Sequence, residues 1–228
     1  MNDSLNGISS MATRQVLVDV IADWHHFGGK VSFESMGGVD AARRVGDGAK
    51  FDVVVLAAEA IDKLIEAGRI VADSKIDLMR SAVAIAVRAG APRPVVDTEE
   101  ALRAAVLSAR TIGYSTGPSG VALQKVFERW EIDASRGPRV VQAPPGVPVG
   151  ALIARGDVEL GFQQLSELMH LQGIDVIGPM PPGLEIVTTF SGGVCATSTQ
   201  PDAARALLDF IRSPVADAAK WRHGMQPA

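Results

Sequence analysis

The 228-residue sequence predicts an α/β protein built around a mainly parallel β-sheet. Short apolar segments alternate along the chain with longer segments in which apolar residues recur at helical spacing. The run FDVVVLA (51–57) is almost continuously apolar and rich in valine, which is typical of a parallel strand covered on both faces. Strands that alternate with helices in this way indicate parallel strands joined by crossover helices.

The first third of the chain contains three strand–helix pairs. The alternation of apolar and polar residues favours the strands, and glycines mark several helix ends. We predict these pairs at 4–10 with 11–27, 30–35 with 37–45, and 51–57 with 59–67.

The rest of the chain continues the alternation and closes with two helices. We predict strands at 81–90, 111–115, 139–144, 158–164, 174–181 and 185–197. We predict helices at 98–109, 119–131, 147–155, 200–213 and 213–223. Thr98 is the expected N-cap of its helix, because its hydroxyl can accept a hydrogen bond from a free backbone amide.

Composition excludes several classes of function. The net charge of −4 argues against nucleic acid as a partner, because phosphate neutralisation needs a basic face. No apolar run reaches the ~18 residues that a membrane span needs. The four histidines and one cysteine lack the spacing of metal ligands, so we expect neither a metal nor a cofactor.

The N-terminal segment MNDSLNGISSMATR does not resemble a secretory signal, because no basic region precedes an apolar one. We therefore expect a cytoplasmic protein, or a periplasmic one if a signal peptide was removed from this chain.

Four polar turns follow predicted strands, at Ser9-Ser10, Ser35 to Gly38, Ser115 to Gly120, and Gln163-Gln164. Ligands of open α/β sheets bind at such strand ends, and helix N-termini there attract anions. Ordinary helix capping alone accounts for any one of these turns. Three such turns that run directly into helices make a shared site for an anion an equal alternative to capping.

The turn YSTGPSG (114–120) does not match the better-known reactive loops. It lacks the lysine of a phosphate-binding loop and the G-x-S-x-G spacing of a nucleophile turn. The segment GGVDAA (37–42) likewise lacks the G-x-G-x-x-G spacing of a dinucleotide site. We expect the loop at 114–120 to hold an anion without reacting with it.

The chain resembles the type II periplasmic binding proteins, in the branch that contains molybdate-binding proteins. The segments that carry the resemblance include SSMATRQVLVDVIADW, VSFESMGGVDAARRV, IGYSTGPSG, LIARGDVELGFQQLSEL and the run at 51–92. The resemblance implies a two-lobed fold with two crossover segments, near 80–84 and 188–191. Lobe one would comprise 1–82 and 189–228, lobe two would comprise 83–188, and a hinged cleft would hold the ligand.

The resemblance also implies which residues bind the ligand. Hydroxyls and backbone amides are expected from Ser9, Ser10, Ser35, Gly37, Ser115, Ser119 and Val147. Where molybdate binders of this family often have a tyrosine, this chain has Gln163 or Gln164, which favours an organic carboxylate over molybdate. Arg80, at the first crossover, would suit a carboxylate by bidentate pairing, and the alternative is a surface arginine at a helix end.

Two functions follow from this resemblance. The first is a small-anion, organic carboxylate-binding protein of the extracellular solute-binding type, with an ABC importer permease as a possible partner. The alternative is a cofactor-free isomerase similar to the aconitate isomerases of this branch, which move a double bond in an unsaturated tricarboxylate. Such an enzyme needs a base, and the candidates are Glu34, Glu167 and His170.

Overall fold

The computed structural model describes residues 4–132 and 137–228. Contacts divide the chain into two compact units. The first unit comprises the chain up to Ser81 together with Thr188–Ala228, and the second comprises Ala82–Val187. The chain therefore passes between the units twice, at Ser81–Ala82 and at Val187–Thr188.

The described residues form strands and helices that alternate for most of the chain, which confirms the predicted α/β organisation. The strands are β1 (Leu5–Ser10), β2 (Val31–Met36), β3 (Val53–Ala57), β4 (Ile76–Arg88), β5 (Thr111–Tyr114), β6 (Arg139–Gln142), β7 (Leu160–Gln164), β8 (Ile174–Pro179), β9 (Val187–Val194) and β10 (Met225–Pro227). The helices are α1 (Arg14–His26), α2 (Gly38–Gly46), α3 (Ala58–Glu66), α4 (Glu99–Ser108), α5 (Pro118–Arg129), α6 (Val149–Arg155), α7 (Leu165–Leu168), α8 (Pro201–Arg212) and α9 (Asp217–Arg222). Short 3-10 turns occupy Met11–Thr13, Ala72–Ser74 and Pro214–Ala216.

The first unit contains a mixed sheet whose parallel part is formed by β2, β1 and β3, in that order. β9 pairs antiparallel with β3, and β10 pairs antiparallel with the start of β4. All five residues of β3 are buried, because helices cover both faces of this strand. The carboxyl ends of the three parallel strands lead directly into the first turns of the next helical segments.

The second unit has β5 at the centre of its parallel strands, between β6 and β7. β7 and β8 each pair antiparallel with the second half of β4. One core cluster packs α4 and α5 against the sheet, and the other packs α6 and the end of α7 against its remaining strands. The start of α5 and the start of α6 therefore lie at the ends of strands, as in the first unit.

The structure corrects several predicted boundaries. β4 begins at Ile76, five residues before the predicted start at 81, because Leu78 and Met79 are both fully buried strand residues. The predicted long strand at 185–197 is shorter and spans Val187–Val194. The last predicted helix, at 213–223, is a 3-10 turn followed by α9. The sequence reading missed α7 and β10, which are too short to show a period.

Within the described residues, no helix is both long and apolar enough to cross a membrane.

Candidate functional site

The ends of β1 and β2 bring two of the predicted hydroxyls into contact. Parallel register places Ser9 opposite Ser35, and their Oγ atoms lie 2.9 Å apart, so that either hydroxyl can be the donor. Ser9 is fully buried and its Oγ also lies 3.3 Å from the carbonyl oxygen of Ser10. This pair is the centre of a polar cluster at the carboxyl edge of the first unit's sheet.

Ser10 starts the next helical segment. Its Oγ accepts a hydrogen bond from the amide of Ala12 at 3.3 Å, and its carbonyl accepts one from the Thr13 hydroxyl at 2.9 Å. A Cβ atom placed on Gly38 would lie only 3.6 Å from Ser10 Oγ, so the first turn of α2 lies beside this serine. Gly37 is the N-cap residue of α2 and contributes no side-chain cap.

The first unit therefore gathers Ser9, Ser10 and Ser35 at the carboxyl ends of β1 and β2, and Ser10 lies beside the amino end of α2. Such an end carries free backbone N–H groups and the positive end of the helix dipole. Hydroxyls beside it add neutral donors. Chemically, this arrangement can hold an anionic group without a metal and without a lysine.

A groove lies between α1 and the outer strand β2, with a volume of about 560 Å³. Ser35 and Arg14 both line it, and Leu17, Ile21 and Phe33 provide an apolar wall. Sequence reasoning missed Arg14. The available signal was its position four residues after Ser10, in the helical segment that follows the Ser9-Ser10 turn.

The second unit has a comparable turn between β5 and α5. The Oγ atoms of Ser115 and Ser119 lie 3.5 Å apart, and Ser119 is 6% exposed in the first turn of α5. A Cβ atom on Gly120 would lie 1.8 Å from the Ser115 carbonyl oxygen. Only glycine permits this approach of the helix to the strand end, so Gly120 sets the position of both hydroxyls.

Val147 and Gln163 are engaged in local structure in the second unit. The Val147 amide donates to the Pro144 carbonyl at 3.0 Å, across a turn. The Gln163 side chain is buried, and its Oε1 accepts hydrogen bonds from the amides of Val149 at 2.8 Å and Gly150 at 3.4 Å. Gln163 therefore holds the first turn of α6, and Gln164 is also buried beside it.

Glu167 has a strongly perturbed acidity. Burial raises the pKa of its carboxyl to about 7, and a hydrogen bond from the Gln163 side chain opposes part of that rise. At neutral pH this group is therefore close to half protonated. A carboxyl poised in this way can accept or release a proton during a reaction.

The other candidate residues lie in less distinctive surroundings. Arg80 is exposed in β4, opposite Gln226, and its guanidinium donates to the Pro227 carbonyl at 3.1 Å. Glu34 is exposed and forms an ion pair with Arg44 at 2.5 Å. His170 is exposed after α7.

Tyr114 belongs to the core of the second unit, where its hydroxyl accepts a hydrogen bond from Gln124 Nε2 at 2.5 Å. In the part of the chain that the structure describes, no three residues of the histidine, cysteine, aspartate and glutamate types are grouped so that they could hold a metal ion.

Solved structures with the same fold include several anion-binding proteins. The Azotobacter vinelandii periplasmic molybdate-binding protein superposes with a TM-score of 0.80 at 18% identity and covers 97% of this chain and 98% of its own. The sulfate-binding protein of Mycobacterium tuberculosis H37Rv has a TM-score of 0.80 at 20% identity, over 100% of this chain and 88% of its own. The tungstate ABC transporter structure from Geobacter sulfurreducens has a TM-score of 0.74 at 17% identity, over 95% of this chain and 97% of its own.

This likeness shows the fold, and it confirms the predicted periplasmic binding protein-like architecture. Among proteins of known activity, an aconitate isomerase from Pseudomonas sp. is 40% identical over 177 residues, which are 77% of this chain and 67% of that protein. Residues 5–226 match the family described as bacterial extracellular solute-binding protein. With a matching fold and a family match over nearly its whole length, the chain belongs to the bacterial extracellular solute-binding protein family.

Proposed function

We propose that this protein binds a small organic carboxylate. The observation that carries the proposal is the grouping of Ser9, Ser10 and Ser35 at the carboxyl ends of β1 and β2, with Ser10 beside the first turn of α2. Hydroxyl donors beside a helix N-terminus stabilise an anionic oxygen through hydrogen bonds and the helix dipole. Ser115 and Ser119, at the start of α5, are the corresponding candidates of the second unit.

Two observations favour an organic carboxylate over an inorganic oxyanion as the ligand. The relative with 40% identity is an aconitate isomerase, whereas the structural neighbours named for molybdate, sulfate and tungstate are only 17–20% identical. In addition, glutamine stands where the molybdate binders of this family often have a tyrosine, and Gln163 is engaged with α6. A tricarboxylate of the aconitate type is the ligand class that fits both observations.

The family match makes an ABC importer permease the proposed partner, because members are described as extracellular solute-binding proteins. An importer permease can be the partner only if the protein lies outside the cytoplasm. Fractionation of the native host, followed by detection of the protein in the periplasmic or the cytoplasmic fraction, tests both at once.

Calorimetry tests the ligand class. We expect trans-aconitate or citrate to bind the parent protein more tightly than molybdate or sulfate. A hydrogen bond to a charged group contributes about 1.5–3 kcal/mol, so Ser35→Ala should weaken carboxylate binding about tenfold to a hundredfold. The exposed Ser108 in α4 offers a matched control, and Ser108→Ala should bind like the parent. Tight molybdate binding without a response to any carboxylate would reverse the proposal.

A second candidate function is isomerisation of the bound carboxylate, and Glu167 favours it. Of the three candidate bases, Glu34 is exposed and ion-paired and His170 is exposed, whereas burial raises the pKa of Glu167 to about 7. The base would remove a proton from the carbon between a carboxylate and a double bond. The electron pair would form the new double bond, and the proton would return at the far end of the three-carbon unit, with no net redox change.

Proton NMR in D2O tests this second candidate. If the protein is an isomerase, the parent should interconvert cis- and trans-aconitate and introduce deuterium at the exchanged carbon. Glu167→Gln should abolish both signals while trans-aconitate still binds. A parent that binds trans-aconitate but neither converts nor exchanges it is a binding protein only.

A further inference from the structure

Arg14 lies close along the chain to the Ser10 turn. It is the first residue of α1, and the 3-10 turn Met11–Thr13 precedes it, so Arg14 follows the first turn of the helical segment that Ser10 starts. Neither that turn nor the first turn of α1 contains an acidic residue that could pair with Arg14.

The charge of Arg14 has no partner among the described residues. Within residues 4–132 and 137–228, the Arg14 side chain makes no hydrogen bond and no ion pair, and the residue is exposed. Two other arginines of the same unit behave differently, because Arg43 pairs with Asp40 and Arg44 pairs with Glu34. Within the described residues, the guanidinium donors of Arg14 are therefore not engaged.

The groove between α1 and β2 is where a binding partner of Arg14 would lie. Arg14 and Ser35 line the same groove, whose wall includes Leu17 and Phe33. The lining residues on α1 run from Arg14 to His25, which corresponds to roughly 16 Å along a helix. Its volume of about 560 Å³ lies within the usual range of small-molecule sites.

We propose that Arg14 supplies the charged contact of the ligand site, by pairing with a carboxylate at the end of the groove where Ser35 lies. The inference rests on the proposed function, because it assigns the counter-charge for the same carboxylate ligand. The planar guanidinium matches a carboxylate with two parallel hydrogen bonds. The Ser35 hydroxyl donates a third when Ser9 supplies the proton between the two hydroxyls. The carbon skeleton of the ligand then lies against Leu17 and Phe33.

This assignment differs from the one that the sequence suggests. Arg80, the expected cation, already donates to the carbonyl of Pro227 in the strand pair β4–β10. A ligand that used Arg80 would have to replace this contact, whereas the Arg14 side chain has no such hydrogen bond to the described residues.

The experiment compares arginine variants by calorimetry with trans-aconitate and citrate. Arg14→Gln should weaken binding of the better ligand about tenfold to a hundredfold, because a charge-assisted contact is lost. Arg14→Lys should recover only part of this affinity, since a point charge does not reproduce the planar fork. Arg212 is 62% exposed at the end of α8, and Arg212→Gln serves as the matched control.

The outcomes separate the two proposals. If the parent binds trans-aconitate or citrate and Arg14→Gln binds it equally well, the assignment of Arg14 is overturned while the proposed function stands. A large loss in Arg80→Gln with none in Arg14→Gln also overturns it and supports the sequence-based choice. If the parent binds no carboxylate at all, both proposals fail. Arg14→Gln should melt at about the same temperature as the parent, because Arg14 is exposed and exposed substitutions change stability little, so misfolding does not mask the result.

Discussion

Replacement of Glu167 by glutamine should change how the stability of the protein depends on pH. Burial raises the pKa of this carboxyl from 4.5 to about 7 in the folded chain. Folding therefore favours the protonated form, and its contribution to stability is complete below pH ~4.5. As the pH rises from 4.5 to about 7, the folded protein loses that contribution, because the buried group must ionise.

The magnitude follows from the size of the pKa difference. The interval between 4.5 and about 7, at about 1.4 kcal/mol per pH unit, corresponds to about 3 kcal/mol. This is an upper bound, because Glu167 is only partly buried and solvent screens part of the cost of ionisation. Glutamine has nearly the same shape, does not ionise, and retains an oxygen that can accept the hydrogen bond from Gln163.

Urea unfolding of parent and variant at pH 5, 6, 7 and 8 measures the effect. Glu167→Gln should have about the parent's stability at pH 5 and should exceed it by up to about 3 kcal/mol at pH 8. Glu128 is exposed in α5, and Glu128→Gln should show a constant difference from the parent. If the difference between Glu167→Gln and the parent does not change between pH 5 and 8, the carboxyl is not held at a raised pKa and the reasoning is wrong.

Three further predictions concern single positions. Gly120→Ala should destabilise the protein by about 1–3 kcal/mol, because the added Cβ would lie 1.8 Å from the Ser115 carbonyl oxygen. Gly117→Ala has open space around the added Cβ, so it should change the melting temperature little. Cys195 should fail to react with a thiol reagent at pH 8 until urea is added, because burial and the nearby Asp52 charge raise the pKa of its thiol to about 12. Rapid labelling of the native protein would contradict this. Gln163→Ala should lower stability by about 1–3 kcal/mol by leaving buried amides of α6 without their acceptor, and an unchanged urea midpoint would show that water replaces the side chain.

The order of most strands and helices could be predicted from the sequence because their patterns are local. β3 is recognisable as a fully buried strand from its run of valines, and the structure buries every residue of it. The start of β4 could not be predicted, because residues 76–80 show no alternation and are held in place by pairing with β10. β10 itself is three residues long and contains a proline, so only its partner strand reveals it.

The candidate site likewise contains features that the sequence predicts and features that only the structure shows. The sequence alone determined that Ser9, Ser10 and Ser35 follow strands, and parallel strands bring such ends to one edge of a sheet. Only the tertiary structure decided that Gln163 holds the start of α6, that Arg80 contacts Pro227, and that Arg14 shares a groove with Ser35. The physical reason is that periodicity and turn chemistry act over a few neighbouring residues. The partner of a polar side chain, in contrast, depends on strand register and helix packing between segments far apart in the chain.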